Sequence, residues 1–312
     1  MRLRKTVLML LALMVLGFAG RAPAADKTVG VVLSGDLPRY QEAQRAFVSA
    51  LAKAGFDQSK VSVYVQTPNP DAMSWTNSVR KFVGVGADVI VAYGAPAALA
   101  AIKETSSIPI VFAFVYDPDA CGTRRANSTG VSSKVPMVTL LRTLKSITPF
   151  SRLAVLYNPS EKDSVVQLDE VRKNAGGLGF QVVELEVRGP KEGRGKLAKA
   201  GAGDSVYISC SAAVDMDAPG IISAANKKKM PTITQVSDVA EAGVLLALAP
   251  SASEQGELAA RQVARILKGS SPSEVPVESS KKVDLILNLK AAGALDLKVP
   301  FDVLNAATRV IK

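Results

Sequence analysis

Short apolar runs rich in β-branched residues alternate with amphipathic stretches along nearly the whole chain. Residues 28–33 predict a buried strand, and residues 40–54 then set Ala43, Ala46, Phe47, Ala50, Leu51 and Ala54 at helical spacing up to a C-capping Gly55. The pattern repeats as strand 61–66, helix 73–82, strand 88–92, helix 96–104 and strand 109–114. Such βαβ steps, with right-handed crossovers, build a parallel sheet covered by helices on both faces. The polar segment 117–129, with Arg124 and Arg125 inside it, breaks the alternation and reads as the first crossing into a second lobe. Alternation resumes with a helix at 136–147 opened by Pro136, then strand 152–157, helix 161–175, strand 181–186, helix 191–200 and strand 205–209. A helix near 216–227 and short strands near 232–236 and 243–247 follow. After a break at Pro250 and Ser251 come a helix at 254–268, a Ser/Pro-rich turn at 269–276 and a strand at 283–289. The expected fold is α/β, with two doubly wound parallel-sheet lobes joined by a multi-segment hinge. Lobe 1 is expected over 26–120 and 250–272, and lobe 2 over 121–249 and 273–312.

The N-terminus predicts export. Arg2, Arg4 and Lys5 precede an apolar run, and Ala22, Pro23 and Ala24 supply small residues where a signal peptidase cuts, so residues 1–24 read as a cleaved signal peptide. The apolar run, about 13 residues, falls short of the roughly 20 needed to span a bilayer. The first cysteine is Cys121, so no lipid anchor is expected at the processed terminus, and a freely diffusing exported protein points to the periplasm. Cleavage lowers the net charge from +10 to about +6. Basic residues are dispersed apart from Lys227, Lys228 and Lys229, and aromatics are few, so no nucleic-acid surface is expected. Cys121 and Cys210 would sit on different lobes, where a bridge would lock a cleft that has to open, so two unpaired thiols are expected. With no histidine, no metal site and no cofactor are expected, and neither a Ser-His-Asp nor a Cys-His arrangement can be assembled.

In open parallel sheets, ligands collect at the carboxyl ends of strands. The segments there are Ser34, Gly35, Asp36 and Tyr40 after the first strand, and Tyr93, Gly94, Ala95, Pro96 and Ala97 after the third. Tyr116 and Asp117 follow the fourth; Asn158, Ser160 and Ser164, then Ser211 and Gln235, occupy equivalent places in the second half. Several open a helix, whose backbone N–H groups suit a carboxylate, while Asp36 and Asp117 suit an ammonium.

These residues resemble the ABC-transporter substrate-binding proteins of the tryptophan/tyrosine-binding type, which have the type I periplasmic-binding-protein fold. The matching runs are S-G-D-L-P-x-Y at 34–40, G-x-P-A-A-L-A-A at 94–101, I-P-I-V-F-A at 108–113, T-G-V-S at 129–132 and L-Y-N-P at 156–159. R-I-L-K-G at 265–269, P-V-E at 276–278 and N-L-K at 288–290 extend the match to nearly the whole mature chain. The resemblance implies a bilobed receptor with a three-segment hinge that delivers a small molecule to a membrane permease, and a monomer is expected. It departs where relatives carry Asp-Asn and this chain has Ser211-Ala212, and at Gln235-Val236 and Ser251-Ala252, which leaves the solute open between an amino acid and a related compound. Tyr40, Tyr93, Tyr116 and Tyr157 are the candidate aromatic wall. Closure of the lobes on the solute is the expected mechanism, with Asp36 contributing to first contact and Asn158 to closing. A periplasmic sensor subunit serving a receptor kinase is the alternative; a hydrolase is disfavoured by the missing histidine.

Overall fold

The computed structural model describes residues 27–189, 191–201 and 203–312, so the expected signal peptide lies outside the described residues. The first lobe is built on a six-stranded parallel sheet. Its strands are β1 (Lys27–Leu33), β2 (Val61–Gln66), β3 (Val89–Tyr93), β4 (Ile110–Val115), β5 (Ser128–Ser132) and β11 (Glu278–Ser279), in the order β11-β5-β4-β3-β1-β2. Helices α1 (Pro38–Lys53), α2 (Ala72–Gly84), α3 (Ala95–Glu104) and α9 (Ala252–Leu267) accompany it. The central strands β3 and β4 are buried at every residue, as expected of a sheet covered on both faces.

The second lobe carries a seven-stranded sheet in the order β13-β12-β10-β9-β8-β6-β7. These are β6 (Arg152–Tyr157), β7 (Gln181–Glu186), β8 (Ser205–Ile208), β9 (Thr232–Thr234), β10 (Leu246–Pro250), β12 (Val283–Asn288) and β13 (Arg309–Ile311). Among the described residues only the β10–β12 pairing is antiparallel. Helices α4 (Met137–Ile147), α5 (Lys162–Leu178), α6 (Glu192–Lys196), α7 (Ala212–Asp215), α8 (Ala218–Lys227), α10 (Leu289–Ala294) and α11 (Phe301–Ala306) complete the lobe.

The crossings fall later than the sequence suggests. Segment 117–129 is not the first one: β5 pairs with β4 in the first sheet, and β11 pairs with β5. Lobe 1 therefore extends to Ser132 and runs again from about residue 251 to about residue 280. The sequence S-T-G-V-S hid β5, because five small residues carry little hydrophobic periodicity although all are buried. The three crossings are tied together by polar side chains. Gln255, fully buried on α9, accepts from Phe114 N and donates to Ser132 O and Ser280 Oγ, while Ser251 N donates to Lys282 O.

Glycine decides one packing contact. At Gly256 on α9, any side chain would fall on the carbonyl oxygen of Ala43, because α1 and α9 touch backbone to backbone. Gly256→Ala has to separate the helices, an overpacking that costs about 1–3 kcal/mol. Thermal unfolding followed by circular dichroism should show a melting temperature lower by about 5 °C; an unchanged value would mean the two helices part freely.

Candidate functional site

In each sheet the strand order reverses once, between β1 and β3 in the first lobe and between β6 and β8 in the second. Loops leaving such a reversal diverge to opposite faces and open a crevice at the strand ends. Here loops from both lobes border one partly open cavity of about 360 Å³. Ser34, Gly35, Asp36, Leu37, Tyr40, Pro70 and Pro96 line it from the first lobe; Glu161, Asp163, Cys210, Ser211, Ala212, Asp215, Met216 and Pro219 line it from the second.

The first wall is assembled around Gly94, whose φ of 89° is open to glycine but strained for other residues. A side chain there would also collide with the hydroxyls of Ser34 and Tyr40, so glycine lets the start of α3 approach both. Ser34 Oγ accepts from Ala97 N at 3.2 Å, and Ser34 O accepts from Trp75 Nε1 at 3.0 Å. The Tyr40 ring packs edge-on against Phe114 and lies under the Arg39 guanidinium, 4.9 Å from its centroid. Burial holds the Tyr40 phenol well above its usual pKa.

The second wall is organised by Glu161. Its carboxylate accepts from Asn158 Nδ2, Ser211 Oγ and the backbone N–H groups of Ala212 and Ala213, and so fastens the start of α7 to the loop after β6. Asn158 and Ser164 complete a self-stapled turn: Asn158 Oδ1 accepts from Ser160 N and Ser164 Oγ accepts from Asn158 N.

Two buried polar clusters cross from lobe to lobe. Arg39 of α1 reaches Asp215 at 2.5 Å and Asp238 at 3.0 Å, with only 4% of its side chain exposed. Burial opposes the guanidinium charge, but Asp215 and then Asp238 outweigh it and hold its pKa above the ordinary value. Asp163 of α5 accepts from Tyr116 N at 2.8 Å, Ala95 N at 3.2 Å and Cys121 Sγ at 3.2 Å, all on the first lobe. Burial pushes the Asp163 carboxyl up to about 6 against these bonds, and does the same for Asp215 against the pull of Arg39. Both cysteines are unpaired; burial raises each thiol, so neither is a ready nucleophile.

Of the residues expected at the site, Ser34, Gly35, Asp36, Tyr40, Pro96 and Ser211 border the cavity. Tyr116 and Gln235 sit beside it, in a small crevice with Arg39 and Cys210. Tyr93, Gly94, Ala95 and Ala97 lie behind its wall, where the backbone rather than the side chains matters. Asp117 is engaged elsewhere, by Lys134 Nζ at 2.9 Å and Ala120 N at 3.0 Å, so it does not offer itself to an ammonium. Asn158, Ser160 and Ser164 are spent on their own turn, and Tyr157 donates to Glu184 on the far side of the lobe. Nor do the helix starts wait for an anion. Asp163 takes Ala95 N, Asp238 takes Arg39 N, and Glu161 takes Ala212 N and Ala213 N. The sequence pointed to none of Glu161, Asp163, Asp215 or Arg39. The traceable signal was spacing alone: Asp215 lies one helical turn beyond Ser211, and Glu161 and Asp163 directly follow N-P-S at 158–160.

Two α/β lobes, three crossings and a cavity lined from both lobes have the architecture of a receptor for a small molecule. The comparisons give the class its particular form. The family model for ABC transporter substrate binding proteins matches residues 28–311, and the chain belongs to that family. It is 26% identical over 282 residues to a tyrosine-binding protein of Clostridioides difficile (strain R20291), covering 88% of this chain and 82% of that one. Its fold matches an ABC domain from Streptococcus pneumonia in complex with L-Trp at a TM-score of 0.87, with 22% identity, over 92% of this chain and all of that one. Against the ligand-free, open structure of a substrate-binding protein with adhesive properties from Clostridium difficile the TM-score is 0.69, at 28% identity over 92% of this chain and 99% of that one. The protein is the solute-binding component of an ABC transport system, a binding protein and not an enzyme, and its place in such a system implies a permease partner.

Proposed function

We propose that this chain is a periplasmic, monomeric receptor that takes up one small solute in the cavity between its lobes and hands it to an inner-membrane ABC permease. The cavity carries the reading. It is enclosed by residues from both lobes, its volume suits a compound of amino-acid size, and its apolar surface comes from Leu37, Tyr40, Pro70, Pro96, Met216 and Pro219. Relatives named for tyrosine and seen with L-Trp favour an amino acid or a related compound. Export rests on the signal-peptide pattern at 1–24, whose last residues contain no cysteine to carry a lipid.

Closure follows from the two polar clusters. A solute that touches Tyr40 and Pro96 on one side and Ser211 and Asp215 on the other gains contacts only when the lobes meet, so binding favours the closed form that a permease reads. Ala212→Phe tests the site, because it fills the cavity from the second wall and replaces no member of either cross-lobe cluster. It should abolish binding of every solute that stabilises the unaltered protein in a thermal-shift screen, and leave the melting temperature without solute within about 2 °C. Binding that survives the substitution refutes the assignment.

A further inference from the structure

Charge at the cavity wall has one sign. Among the described residues, Asp36, Glu161, Asp163 and Asp215 line it, and neither lysine nor arginine does. The polar N–H groups that would receive an anion are occupied by the chain itself: Ala95 N by Asp163, Ala97 N by Ser34, Ala212 N and Ala213 N by Glu161. Arg39 is held behind the wall between Asp215 and Asp238. That cluster contains two carboxylates and one guanidinium, an excess of one negative charge when all are ionised. One atom in it is unserved: Asp215 Oδ1 is buried and has no hydrogen-bond partner, while Oδ2 of the same group takes the guanidinium. A buried acceptor without a donor is expensive unless a shift of its side chain brings one within reach.

We propose that the solute is an organic cation, a primary amine without a carboxylate, whose ammonium donates to Asp215 Oδ1 and whose apolar body lies against Tyr40, Leu37 and Pro96. The inference rests on the cavity being the solute site. An ammonium neutralises the excess charge of the Arg39 cluster and supplies the missing donor, and its charge is favoured by the other acids. A free amino acid would bring the same ammonium together with a carboxylate, which would meet acids and backbone donors already engaged. Selectivity for the amine over its amino acid is therefore written into Glu161 and Asp163 as much as into Asp215.

The test is a thermal-shift and calorimetric screen, at neutral pH, of matched triplets that share a body and differ at the charged end. One triplet is 2-phenylethylamine, phenylalanine and 3-phenylpropionate; others carry aliphatic, phenolic and indole bodies. The best amine is expected to bind at least roughly tenfold more tightly than its amino acid, with no binding of the acid, and to lose roughly tenfold or more in Asp215→Asn, an isostere that keeps an acceptor for Arg39. An amino acid or carboxylate that binds as tightly as its amine, the absence of any amine among the hits, or an amine affinity unmoved by Asp215→Asn overturns the inference. The Ala212→Phe variant separates the two levels. A non-amine hit lost in that variant overturns only the charge assignment, whereas a hit that persists there removes the cavity as the solute site.

Discussion

Replacing Arg39 with alanine opens the molecule. Among the described residues the guanidinium is the sole cation paired with Asp215 and Asp238, and the three side chains are almost fully withdrawn from water. Removing one partner from such a cluster leaves uncompensated buried charge, at a cost of about 3–5 kcal/mol. Unfolding is not the cheapest relief. Asp215 and Asp238 belong to the second lobe and Arg39 to the first, so parting the lobes rehydrates both carboxylates and leaves each core untouched. Arg39→Ala should accordingly show a larger radius of gyration in solution scattering, a melting temperature changed by only about 2 °C, and solute affinity reduced on the order of 100-fold or more. Arg39→Lys should fall in between, because an ammonium lacks the planar fork that serves two carboxylates at once. A compact Arg39→Ala protein with undiminished affinity would show that the cluster does not hold the lobes.

Asp163→Ala should give the second large effect, through donors instead of charge. Asp163 serves Ala95 N, Tyr116 N and the Cys121 thiol across the gap, and without it the two backbone groups stay unpaired as long as the lobes remain closed. Each buried unpaired donor costs about 1–3 kcal/mol, so affinity should fall on the order of 100-fold. The same substitution alters the response to pH. In the closed form burial lifts both Asp163 and Asp215 to about 6, whereas exposed carboxyls titrate near about 4. Because the closed-form value is the higher one, closure takes up protons. The closed form gains as pH falls from about 6 towards about 4, and loses that gain as pH rises back through about 6. The groups facing these two acids are Arg39, Asp238, Glu161, Cys121 and the two backbone donors. Solute-free protein should be more compact by scattering at about pH 5 than at about pH 8, and Asp163→Ala should remove part of the difference. A radius independent of pH in both proteins would contradict it.

Much of the fold was legible because local patterns determined it. The β-branched runs at β1, β3, β4 and β6 and the amphipathic α1 and α9 carry their structure in spacing that any window of the sequence exposes. The crossings were misplaced because β5 is S-T-G-V-S and β11 only two residues, strands recognisable through their partners and not through themselves. The site divides in the same way. Strand-end position brings Ser34, Gly35, Asp36, Tyr40, Pro96 and Ser211 to the cavity wall, since topology alone carries those loops to the crevice. Which carboxylate meets which donor is a property of two lobes in contact. Nothing near Glu161 or Asp163 in the chain reveals that one will fasten α7 and the other α3. For that reason helix starts that read as open anion sites are closed by the protein's own acids, and Asp117 is diverted to Lys134.

The most direct measurement of the whole account is a crystal structure of the protein saturated with the tightest solute from the screen. Electron density for the solute should lie between Tyr40 and Pro96 on one side and Ser211 and Asp215 on the other, with Arg39 still bridging to Asp215 and Asp238. Density on an outer surface, with the interlobe space holding only water, would contradict it.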